Sequence, residues 1–196
     1  QFPVVKAAAT TRASSKYPAA HVETNANNNL MAFYNDFPHC EWTVYARTPM
    51  SSEMRDEVLS PLRAAIKGKG EVEAANILLN FVQTGFKYKT DEEQFGYERP
   101  LFVDEVFYYP YCDCEDRAIL YVYLVHELLG LDVALLYYPM HLAAAVAFNE
   151  SVDGDSMMIN GRKYLVCDPT IISGASVGEA MKRYKNTKAT VYVVEY

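Results

Sequence analysis

Between Cys114 and Leu129 the chain has no polar face. Ala118, Ile119, Val122, Val125 and Leu129 recur at helical spacing, other apolar residues fill most of the remaining turns, and Gly130 follows as a natural stop. A helix that is apolar nearly all round must be covered nearly all round. This segment is therefore expected at the centre of the fold, with the other elements as its wrapping.

The sequence offers candidates for that wrapping. Val133–Tyr138, His141–Phe148 and Lys163–Asp168 read as β segments. A Pro139-Met140 turn separates the first two, and a polar connection with Asp153-Gly154-Asp155 and Asn160-Gly161 precedes the third. A short helix around Val177–Tyr184 and a last strand, Ala189–Glu195, close the chain. Upstream, Ser51 and Ser52 precede a helix whose apolar positions are Val58, Leu62, Ala65 and Ile66, with Pro61 expected to kink or split it. Gly68 and Gly70 end it, and a second helix runs from Glu71 to Thr84 with Gly85 as its stop. Trp42–Ala46 reads as an edge strand. Phe86–Tyr111 reads as irregular, and its many rings either wall a cleft or pack on the core. Residues 1–30, rich in Ala, Thr, Ser and Asn, read as an extended N-terminal arm or linker, leaving 31–196 as the domain. Helices first and an antiparallel sheet afterwards make the fold class α+β.

Composition narrows the function classes. Half the residues are hydrophobic (51%), which suits a globular chain. The formal net charge is -7 with no Lys/Arg block, which argues against a nucleic-acid partner. The longest apolar run, around Ile119–Leu136, is broken by His126, Glu127, Gly130 and Asp132, so no membrane span is expected. The chain starts at Gln1 with no signal peptide, so it reads as a mature form or a piece of a larger multidomain chain. That leaves the compartment open, with an extracytoplasmic placement preferred. Four cysteines permit two disulfides, but a chain of 196 residues buries a core without them.

Three residues carry the chemistry. Cys114 stands where a loop becomes the central helix, and the free N–H groups and partial positive charge of a helix N-terminus favour a thiolate over a thiol. Many cysteines so placed are inert. His141 opens the second β segment on a face it shares with Ala143, Ala145 and Ala147, small enough for a helix to approach closely. A satisfied strand-end imidazole is the alternative. Asp168 ends the third β segment. If the second and third segments pair antiparallel through the Asn-Gly connection, Asp168 meets His141 at one end of the ladder and orients its ring. An Asp before Pro169 is otherwise a turn initiator. Strand parity would then turn Cys167 away from the triad, onto the opposite face.

The blocks Asp113-Cys114-Glu115-Asp116-Arg117-Ala118, His141–Val146 and Tyr164–Thr170 resemble the three signature blocks of the transglutaminase-like superfamily. Phe81-Val82-Gln83, Tyr88, Asp91, Pro100 and Glu105 are similar to bacterial and archaeal members, so the likeness spans roughly Glu71 to Thr170. The resemblance implies a papain-like core, with the cysteine helix packed on an antiparallel sheet that bears the histidine and aspartate. It implies acyl transfer through a thioester, with Cys114, His141 and Asp168 as the catalytic triad and a peptide or protein with a glutamine-like amide as acyl donor. Hydrolysis is preferred to cross-linking. The alternative is a binding or scaffold domain that keeps the fold. Gln83 is the oxyanion donor by position in its block, with Gln94 as rival. No cofactor and no metal are expected, since Cys112-x-Cys114 suits structural zinc poorly. Three departures stand out: Cys112 where the family commonly has Gly, Leu-Ala-Ala-Ala after the histidine, and Cys167 before the aspartate.

Overall fold

The computed structural model describes residues 3–196. In chain order its elements are β1 (Thr10–Ala13), β2 (His21–Thr24), α1 (Asn28–Asn35), α2 (Trp42–Arg47), α3 (Ser52–Ala65), α4 (Glu71–Gly85), β3 (Lys87–Tyr88), α5 (Asp91–Gln94), α6 (Val103–Tyr108), β4 (Tyr111–Cys112) and α7 (Cys114–Leu129). Then come β5 (Asp132–Tyr138), β6 (His141–Ala147), β7 (Ser156–Ile159), β8 (Arg162–Cys167), a 3-10 turn (Lys182–Tyr184) and β9 (Thr190–Val194). The class is α+β.

α7 lies at the centre, as its all-round apolar surface requires. Every residue from Glu115 to Val125 is buried. Gly130 ends the helix with φ 65°, a left-handed conformation that costs a glycine little, and its N–H bonds to the His126 carbonyl. The five-stranded sheet runs β7-β8-β6-β5-β9, all antiparallel. Val133, Leu135, Leu142, Ala144, Val146, Leu165 and Cys167 share the main core with α7. The other sheet face packs Ala134, Leu136, Ala143, Ala145, Ala147 and Val166 beneath Ala180 and Tyr184.

Several expectations need correction. The alanine face of β6 does not receive α7; the helix packs on the Leu142/Ala144/Val146 face, where branched side chains fill the space. Cys167 alternates with Asp168 as parity demands, but the face it occupies is the one that α7 covers. Trp42–Ala46 is helical, because Trp42, Tyr45 and Ala46 fall on one side and pack inward, with the Trp42 ring against Tyr137 and Tyr192. Pro61 does not split α3. Phe86–Tyr111 contains four short elements, and the Asn160-Gly161 turn joins β8 to β7, a strand hidden in the polar connection. The C-terminal helix shrinks to one 3-10 turn. Gly178, at φ 83°, lies so close to Gly154 that a Cβ added to Gly154 would come within 2.6 Å of its Cα, and helical dihedrals are unavailable there.

The described part of the N-terminal segment is extended, but it is not a tether. β1 and β2 form a hairpin against α3, α4 and α6, with Ala20, Val22 and Ala26 in the main core. Thr10 Oγ1 donates to the Phe107 carbonyl (2.8 Å) and Ser14 Oγ to Asn80 Oδ1 (2.6 Å).

Candidate active site

Asp116 fixes the mouth of α7. Its carboxylate accepts the N–H groups of Asp113 (3.1 Å) and Leu101 (2.8 Å), so the helix start and the preceding loop share one anchor. From within the same first turn, the buried Arg117 guanidinium donates to the carbonyls of Phe86 (2.9 Å), Gln83 (3.3 Å) and Pro169 (3.5 Å). One side chain thus ties the Cys114 helix to the end of α4 and to the turn that follows Asp168.

The sheet register brings the next two groups together. β6 and β8 pair Ala144 with Cys167 and Ala145 with Val166. One step further along, Asp168 faces Ala143, on the same side as His141 and diagonal to it. His141 Nε2 and Asp168 Oδ2 are 2.8 Å apart, and both side chains are buried. Asp168 Oδ1 accepts the Thr170 N–H (3.0 Å), which fixes the carboxylate plane.

Tyr184 lies parallel to the imidazole, with ring centroids 5.1 Å apart and planes 4° apart, and its hydroxyl donates to the Pro139 carbonyl (3.0 Å). Nothing in the sequence marked Tyr184, because a stacking partner 43 positions downstream leaves no local pattern.

Cys114 and His141 line one cavity of about 460 Å³, together with Trp42, Tyr88, Tyr137 and Met140. A larger cavity of about 700 Å³, between Thr170–Ala175 and Glu179–Lys185, contains none of the three predicted residues. Burial alone would lower the His141 pKa. The hydrogen bond to Asp168, and then the neighbouring Cys114 sulfur, outweigh it and raise the imidazole to about 9. The proton is therefore held more tightly in the folded chain than in the unfolded one. The corresponding stability, on the order of 3 kcal/mol, is fully present below pH 6.5 and lost as pH rises through 9. Urea unfolding at pH 6 and pH 9.5 should show this loss in the wild type and a smaller one in His141→Ala. Equal pH slopes would break the assignment of the ion pair.

The other thiols are placed differently. All four cysteines are free. Cys112 and Cys167 are buried, and burial pushes each up to about 12, so neither is a nucleophile at neutral pH. Gln83 does not face the cavity mouth with a free amide. Its Nε2 donates to the carbonyls of Asp168 (3.1 Å) and Ala175 (3.0 Å), which makes it a brace for the Asp168 turn. Gln94 sits at the end of α5 and is not among the cavity-lining residues.

The same cavity has an acidic wall. Asp91, Asp113 and Asp116 each bring a carboxylate oxygen within 4.8 Å of one another, and so do Asp91, Glu98 and Glu115. Cys114 Sγ donates to Glu115 Oε2 (3.3 Å). Burial, and then the charge of Asp113, pushes the Asp91 carboxyl up to about 7. Asp113, Glu115 and Asp116 are also raised, by burial first. Asp113, Glu115 and Asp116 are visible as a run in the sequence, but Asp91 and Glu98 come from the stretch that reads as irregular.

No family model matches this chain, and no curated protein or solved structure matches it. Among the described residues no helix is long and apolar enough to cross a membrane.

Proposed function

We propose that this chain is a thiol-dependent acyl-transfer enzyme with a papain-like, transglutaminase-like core, acting on amide or peptide carbonyls. One observation carries the reading. Cys114 and His141 share a cavity at the mouth of α7, while Asp168 engages imidazole Nε2 at 2.8 Å. With Nε2 engaged, Nδ1 is the atom left to take the thiol proton. The three sequence blocks that resemble transglutaminase-like proteins are the ones that supply these residues.

In this mechanism the Cys114 proton already resides on His141, whose raised pKa keeps the imidazolium at neutral pH, and the sulfur attacks the carbonyl carbon as thiolate. The C–S bond forms as the carbonyl π pair moves to oxygen. The first N–H groups of α7 are the oxyanion donors, since Gln83 is committed elsewhere. The oxyanion then collapses, the C–N bond breaks, and His141 returns its proton to the leaving amine. Water, deprotonated by His141, attacks the thioester, releasing a carboxylic acid and restoring the thiol. An amine in place of water would give a cross-link; hydrolysis is the preferred outcome. Trp42, Tyr137 and Met140 offer apolar surface for the chain of a peptide or protein substrate.

One contact favours a second reading, a binding domain that keeps this fold without activity. The Cys114 S–H donates to Glu115 Oε2, which directs the thiol proton away from His141. A peptidyl chloromethyl ketone separates the two. The wild-type chain should be alkylated at Cys114 alone, and Cys114→Ala and His141→Ala should not be labelled. Labelling of Cys114→Ala at the wild-type rate would rule out the enzymatic reading, and an unlabelled wild type would favour the binding domain.

A further inference from the structure

Carboxylates taken out of water are normally paired with a cation or satisfied by donors. The acidic wall beside Cys114 departs from that rule. Asp91, Asp113, Glu115 and Asp116 are buried, and Glu98 stands at their solvent edge. None of the ion pairs among the described residues includes any of the five. Asp116 is satisfied by two backbone N–H groups, and Asp91 Oδ2 accepts the Arg99 N–H (2.6 Å). Asp113 Oδ1 and Glu115 Oε1, however, are buried without a hydrogen-bond donor. Their residues are only 6% and 4% exposed. Acceptor faces acceptor across this gap, and a proton held on Glu115 or a cation bound between the two residues relieves the contact.

We infer that this wall is a binding site for a divalent cation held by oxygen ligands, with Asp91, Glu115 and the solvent-edge Glu98 as its core and Asp113 beside them. The spacing suits a calcium-sized ion. Ligand oxygens bonded at about 2.3–2.6 Å stand at most about 5 Å apart across the ion, and the carboxylate oxygens of each group lie within 4.8 Å of one another. The donors are hard carboxylates with one sulfur at the margin, which favours calcium over zinc. Magnesium demands near-ideal octahedral geometry, whereas these ligands come from α5, a loop and the start of α7 and are not arranged as an octahedron's corners by any single element. The cavity of about 460 Å³ that opens beside Glu98 and Glu115 gives the ion an entry and room for its remaining waters. Asp116 is a positioning residue here. Its two backbone bonds hold the helix start that presents Asp113 and Glu115.

The site does not depend on the acyl-transfer reading, and its test is a binding measurement. The whole chain is titrated with calcium by calorimetry and with terbium by luminescence, for which Tyr88, in the same cavity wall, is the sensitiser. One site with a Kd of about 10⁻⁶–10⁻³ M is expected. Glu115→Gln and Asp91→Asn should each weaken it by at least about 10-fold, given the loss of a charged ligand. Circular dichroism establishes that each variant is folded. Asp153→Asn, outside the cluster, should leave binding unchanged, and so should Cys114→Ala, which removes the proposed nucleophile but no oxygen ligand. An absence of calcium and terbium binding at about 10 mM, well above the weakest sites of this class, would overturn the inference. So would terbium binding that survives both carboxylate substitutions, or zinc binding that Cys114→Ala abolishes while calcium does not bind.

Discussion

Asp168→Asn should lower turnover of an activated acyl substrate such as p-nitrophenyl acetate by about 10³–10⁴-fold, the scale seen when the orienting carboxylate of such a triad becomes an amide. The reason lies in the two bonds that Asp168 makes. Oδ1 accepts the Thr170 N–H and Oδ2 faces His141 Nε2. In the amide, the Thr170 N–H still needs an oxygen, so the NH₂ group must turn to the ring. Nε2 then has to accept, and the ring proton moves to Nδ1, the atom required to take the Cys114 proton. The Thr170 bond survives, so the variant should stay folded, with a stability loss confined to the His141 ion pair and on the order of 3 kcal/mol at pH 6. A fall in turnover of under about 10-fold would remove Asp168 from the proposed orienting role, since a tautomer change of this kind costs orders of magnitude.

Arg117→Met is expected to destabilise the fold by at least about 2–3 kcal/mol in urea unfolding, since a hydrogen bond from a charged donor is worth about 1.5–3 kcal/mol and a buried acceptor left without a donor costs about 1–3 kcal/mol. Methionine keeps most of the volume but leaves the carbonyls of Gln83, Phe86 and Pro169 without their donor. Arg117→Lys should recover little, because one ammonium on a flexible stem cannot reproduce a planar fork that reaches three acceptors. Losses of less than about 1 kcal/mol would mean that water or relaxation satisfies those carbonyls, and that Arg117 does not tie the Cys114 helix to the Asp168 turn.

The parts of the fold legible in the sequence were those with one dominant local signal. α7 announced itself by apolar residues on every side and Gly130 at its end. The β5–β6 hairpin and β8 were readable from apolar runs bounded by turn residues. α2 reads as a strand because Trp42-Thr43-Val44-Tyr45 alternates like one, and the inward packing of Trp42, Tyr45 and Ala46 against residues distant in the chain decides for a helix. β7 was missed because Ser156–Ile159 is too short and too polar in its surroundings to stand out before Asn160-Gly161 pairs it with β8. At the site, Cys114, His141 and Asp168 were each marked by a position at the end of an element, and β6–β8 pairing brought the last two together. The role of Gln83 was not legible, since a family position says nothing about which carbonyls an amide will meet. Tyr184 and the Asp91–Glu98 half of the acidic wall depend wholly on contacts distant in the chain.

The β1–β2 hairpin has a practical consequence for anyone trimming this protein. Cutting before residue 31 looks harmless from the sequence, yet it would strip Ala20, Val22 and Ala26 from the interior and sever the links from Thr10 to Phe107 and from Ser14 to Asn80. Phe107 belongs to the helix just upstream of the strand that leads into Cys114. A shortened version that failed to react with thiol reagents would therefore report a lost buttress and say nothing about the nucleophile.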